Sequence, residues 1–123
     1  MKGEDILERL LDFGARAGVV VDALPEGRLG RHVAGQLVRS GTSPAANYSE
    51  GQAAESREDF CHKLGIALKE MRESHVWLRL IIKARLLPDH RLADLLDECD
   101  QLIRILASSI VTTKRNHPKG SRA

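Results

Sequence analysis

Residues 36–51, QLVRSGTSPAANYSEG, keep a helical rhythm while carrying a proline and polar side chains that a plain amphipathic helix would not need. Leu29, Val33, Leu37, Ser40, Pro44, Asn47 and Gly51 recur every three or four residues, which is the period of one helical face. A proline inside a helix removes one hydrogen bond and clashes with the carbonyl four residues back, so residues 41–44 are expected to kink or become irregular. Ser43, Pro44, Asn47 and Glu50 in succession make this segment a fingerprint of fold rather than of activity.

The rest of the chain repeats the helical period. Ile6, Leu7, Leu10, Leu11, Ala17, Val20, Val21 and Leu24 form one stripe, and Pro25, Glu26 and Gly27 interrupt it with turn chemistry. Ser56 ahead of Glu58 and Asp59 reads as an N-cap with acidic groups in the first turn, where the helix dipole favours them. Phe60, Leu64, Ala67, Met71, Ser74, Leu78 and Ile81 then alternate steps of four and three, the spacing of shallow-angle helix packing. Pro88 or Asp89 opens the last stripe, from Leu92 through Leu95, Leu96, Cys99, Leu102, Ile103 and Leu106 to Ile110, with Lys114 and Arg115 at its end. The fold class is therefore all-α, an antiparallel up-and-down four-helix bundle with helices at about residues 4–24, 28–54, 57–86 and 89–114, because brief connections force neighbours to run in opposite directions. One domain spans residues 1–115, and residues 116–123 read as a flexible basic tail.

A chain of 123 residues is long enough to bury a core without disulfides or metal. Only one Trp, one Tyr and two Phe are present, so Leu, Ile, Val and Ala supply the apolar mass, a profile that favours helices. Cys61 and Cys99 fall among apolar neighbours at helical positions and read as reduced and buried. The longest apolar runs are far too short to cross a bilayer, and the expected location is the cytoplasm. Net charge is +2, but residues 57–86 hold seven basic and four acidic groups, and the last ten residues hold four basic and none acidic. Positive charge is thus concentrated on the third helix and the tail.

On the third helix Lys69, Arg72, Arg79 and Lys83 share a face about 150° from the apolar seam, taking roughly 100° per residue. Such a face can neutralise phosphates, with Arg28, Arg31 and Arg39 of the second helix beside it, or simply be a solvated surface. Scarce aromatic residues argue against a base-stacking platform, so any nucleic-acid contact is expected to be to the backbone with low sequence specificity. Arg39, Ser43, Asn47, Glu50, Glu70, Glu73 and Ser74 form a polar set. Its expected role is structural: Ser43 and Asn47 satisfy backbone groups freed by Pro44, and Arg39 or a neighbouring subunit pairs with a glutamate. A di-metal bundle would present two Glu-x-x-His motifs, and this chain offers only the approximation Asp59-x-x-His62. The five histidines are scattered singly, Ser40, Ser43 and Ser49 lack a base motif, and Gly27, Gly30 and Gly35 make no phosphate loop. No catalytic residue, metal site or cofactor is expected. Trp77 lies on a flank shared with Glu70 and Ile66, where it either meets another subunit or packs on an adjacent helix.

The run QLVRSGTSPAANYSEGQAAESREDFCHKLGIALKEMRESHVWL resembles the bacterial four-helix-bundle family of 23S rRNA intervening-sequence proteins. The resemblance rests on Gln36, Arg39, Ser43, Asn47, Glu50, Gly51, Phe60, Glu70 and Glu73 and covers roughly residues 25–110. The Trp-containing opening frequent in that family is absent here. The resemblance implies a left-handed bundle that assembles as a homopentameric ring. It also implies similarity to the accessory variability determinant proteins of diversity-generating retroelements, which are basic pentamers that bind nucleic acid and partner with a reverse transcriptase. The expectation is a non-enzymatic oligomeric binding module contacting RNA, DNA or an RNA-associated protein through Arg72, Arg79 and Lys83, with Lys69, Arg28 and Arg31 in support. The competing expectation is a protein-interaction scaffold whose charges only solubilise it.

Overall fold

Apolar stripes on four successive segments can be removed from water together only if the four helices turn those stripes inward. The computed structural model, which describes residues 2–116, shows this arrangement. Helices α1 (Gly3–Ala23), α2 (Arg28–Gln52), α3 (Arg57–Lys83) and α4 (Ala93–Asn116) follow one another, with a 3-10 turn over Asp89–Arg91 before α4. No strand occurs among the described residues. Four-residue connections at 24–27 and 53–56 fix α1, α2 and α3 as antiparallel neighbours. Packing is most extensive between α2 and α3, then α1 with α2 and α3 with α4, while a slimmer α1–α4 seam closes the bundle. None of the described helices is long and apolar enough to cross a membrane.

The core follows the α3 and α4 stripes closely. Leu64, Ala67, Met71, Ser74, Leu78 and Ile81 of α3 are buried, as are Leu95, Cys99, Leu102 and Leu106 of α4. On α1 the stripe is rotated from expectation: Phe13 is fully buried, whereas Leu11 is half exposed. On α2 the first turn turns Gly30 inward and leaves Leu29 out. Gly14 and Gly41 explain the close approach of α1 and α2, since a Cβ on Gly41 would stand 2.9 Å from Cβ of Ala17, and one on Gly14 would stand 3.2 Å from the Gly41 carbonyl.

The helix boundaries differ from the sequence reading by two residues or more in four places. Helix α2 ends at Gln52 and α3 at Lys83, because Arg85 takes a left-handed conformation that closes α3. The last helix begins at Ala93, since Pro88 is extended and the chain first makes the 3-10 turn. Asn116, assigned to the tail, is the last residue of α4, and the remainder of the tail lies outside the described residues. Through Pro44 the helix is unbroken. Pro44 is buried in the packed interior, and its missing N–H removes one bond of the helix ladder.

Candidate nucleic-acid interface

Helix α3 owes its length to the Ser56 cap, whose hydroxyl accepts from the Asp59 amide at 3.0 Å, and to the buried seam that anchors it. With that seam fixed inward, Lys69, Arg72, Val76, Arg79 and Lys83 necessarily form the opposite row, and all five are exposed. Among the described residues none of the four cations meets a hydrogen-bond or ion-pair partner. Arg28 and Arg31 stand exposed in the first turn of α2, which contains no acidic residue. Positive charge there is opposed by the helix dipole. Because α2 begins where α3 ends, Arg28 and Arg31 share one end of the bundle with Arg79 and Lys83.

Cations that do have partners occupy the seams. Arg9 of α1 reaches Glu98 of α4 at 2.6 and 2.9 Å and Gln101 at 3.0 Å. Lys63 meets Glu50 at 3.0 Å, and His75 meets Asp100 at 3.0 Å. Arg39 of α2 spans to α3, donating to Glu70 at 2.6 Å and to Glu73, with Gln36 alongside. Glu73 also accepts the Trp77 indole N–H at 3.2 Å, and the Trp77 ring stands edge-on to His32 at 5.8 Å. The polar set is thus four separate groups rather than one site, Ser74 lying apart in the core with Ser40. Arg39 holds Glu70 and Glu73, Lys63 takes Glu50, and Asn47 donates back to Ser43 at both its carbonyl and its hydroxyl. The carbonyl that Pro44 leaves without a donor is that of Ser40, so Asn47 and Ser43 do not perform the role expected of them.

Glu50, Glu70 and Glu73 are each engaged by a cation. Within the core Ser74 donates to Ser40 at 2.8 Å, and burial pushes the Cys99 thiol up to about 12, which leaves it unreactive. Among the described residues no three His, Cys, Asp or Glu side chains gather as a metal site. Sequence reasoning missed Val76 in the middle of the basic row, although its offset of four from Arg72 places it there. It also missed Arg9–Glu98 and His75–Asp100, which pair across helices and leave no short-range spacing to read.

Residues 18–108 match the model of the 23S rRNA-intervening sequence protein family. The chain belongs to this family. A solved structure from Bacteroides thetaiotaomicron, described as a protein with unknown function from the S23 ribosomal protein family, is 31% identical. It superposes with a TM-score of 0.80, over 85% of this chain and 97% of its own. No curated protein shows significant similarity to the chain. This chain thus resembles a solved protein of the same architecture, whose description assigns no activity.

Proposed function

We propose that this member of the family is a non-enzymatic, oligomeric binding module whose α3 row contacts the sugar-phosphate backbone of RNA or DNA. The observation that carries the reading is the division of its cations. Arg9, Arg39 and Lys63 are neutralised in helix seams, while Lys69, Arg72, Arg79 and Lys83 stand along one outer row without partners among the described residues. Exposed unpaired cations at helical spacing match a polyanion, and phosphate contacts position a strand without reading its bases. The resemblance to basic pentamers that bind nucleic acid supports both the partner and the assembly. For assembly, α1 and α2 supply Leu11, Val19 and Val38, exposed by 49, 65 and 41%, beside the uncharged Ala15, Gly35, Thr42 and Ala46. Repetition of the α3 row around an oligomer would multiply weak contacts.

Fluorescence anisotropy with a mixed-sequence RNA tests the reading. The Arg72→Gln/Arg79→Gln/Lys83→Gln variant is expected to bind at least about tenfold more weakly while keeping its helical circular dichroism, since three phosphate contacts are lost from an exposed row. The Arg104→Gln variant, on the outer side of α4, should retain most of the affinity. Equal binding by wild type and triple variant would assign the row to solvation and favour a protein scaffold.

A further inference from the structure

The end of the bundle away from Lys83, where α1 and α3 begin and α2 and α4 finish, holds an open cleft of about 600 Å³. Its walls include Gly3, Tyr48, Gln52, Arg57 and Phe60. Tyr48 is only 3% exposed, yet its hydroxyl makes no hydrogen bond to the described residues. Fully buried side-chain nitrogens and oxygens in the described residues all have partners, so the Tyr48 oxygen opens onto the cleft. Burial raises its pKa above the ordinary tyrosine value, so the hydroxyl keeps its proton and can donate. A Cβ on Gly3 would lie 3.4 Å from this oxygen, an ordinary contact, and 2.3 Å from Nε2 of Gln52, whose flexible tip would have to shift, so both polar tips stand at the mouth.

Other donors converge there. The N-cap of α1, Lys2, offers no side-chain hydrogen bond, and its carbonyl takes the amides of Asp5 and Ile6. The amides of Gly3 and Glu4 have no acceptor among the described residues, and neither does the Arg57 guanidinium at the start of α3. Glu55 also lines the cleft, and Glu4, Asp5, Glu58 and Asp59 occupy the two first turns. These acids disfavour any anion, and a multiply charged one most, so a monoanion is held only by direct contact with Arg57 and the uncharged donors, while the Phe60 ring favours an apolar body.

We propose that the cleft binds a small monoanionic carboxylate with an apolar body, its oxygens taken by the Tyr48 hydroxyl, the Gln52 amide and Arg57, and its body resting on Phe60. The carboxylate is that of a free acid or of a peptide C-terminus. The site is independent of the α3 row. A nitrogen-15 NMR titration of the full chain with benzoate tests it. Saturable shifts are expected at the amides of Gly3, Glu4, Gln52 and Arg57, with Arg72 to Lys83 unmoved. Benzamide, the neutral analogue, should leave the spectrum unchanged. Loss of one hydrogen bond to a charged group weakens binding about tenfold, so Tyr48→Phe and Arg57→Gln should each shift the titration by that amount. A tripeptide Ala-Ala-Phe that binds tighter than benzoate, and loses binding when amidated, identifies a peptide terminus; weaker binding identifies a free acid. Equal shifts with benzoate and benzamide, full affinity in Tyr48→Phe, or inorganic phosphate displacing benzoate at lower concentration would overturn the proposal.

Discussion

Arg85 holds φ at 57°, the left-handed region that a side chain enters at a cost of about 1 kcal/mol or more. It does so because it stands just past the end of α3, where the Leu86 amide bonds the Ile81 carbonyl at 2.9 Å and the Arg85 amide bonds that of Ile82 at 3.0 Å. This pair of bonds terminates the helix, and glycine is the residue that usually provides it. With arginine there, the helix stop was not legible and the sequence reading ran on to Leu86. Replacing Arg85 with Gly is expected to stabilise the fold by about 0.5–1 kcal/mol, raising Tm by roughly 2–5 °C in a calorimetric scan. An unchanged or lower Tm would mean that the Arg85 side chain contributes more than its backbone conformation costs. Arg39 shows the opposite case. Its pairing with a glutamate was legible because Arg39, Glu70 and Glu73 lie at helical positions of adjacent elements, yet Glu50 was grouped with it wrongly, since only the structure sets Glu50 beside Lys63.

At the scale of the element, the periodic pattern located all four helices, and most of the α3 and α4 seams was legible because their regular steps of three and four coincide with the buried face. Helix α1 was harder. Phe13 falls between the chosen stripe positions, and the Gly14–Gly41 contact draws α1 onto α2 in a rotation that exposes Leu11. That rotation, set by the absence of two side chains, gives the α1–α2 surface its apolar exposure. If this surface joins subunits, light scattering should report a multiple of the 13.6 kDa chain mass, about fivefold for the pentamer implied by resemblance. Val19→Glu/Val38→Glu should then reduce the mass to that of one chain, because a buried unpaired carboxylate opposes association. A wild-type protein of single-chain mass would remove this face from the account.

For the whole molecule, cations divide by pairing. Arg9, Arg39 and Lys63 are paired across helix seams, while the four cations in the outer row of α3 are not, a division invisible in a net charge of +2. The basic row itself was legible, since a fixed apolar seam dictates what lies opposite it. The cleft around Tyr48 was not, because it is assembled from residues of all four helices at one end of the bundle. The salt dependence of binding to mixed-sequence RNA tests the central claim most directly. If the α3 row contacts phosphates, log K should fall linearly with log salt concentration, with a slope near −0.7 per phosphate neutralised on a single strand, and the triple glutamine variant should show a slope shallower by about 2. Binding that is indifferent to salt, or absent at low salt, would contradict the account.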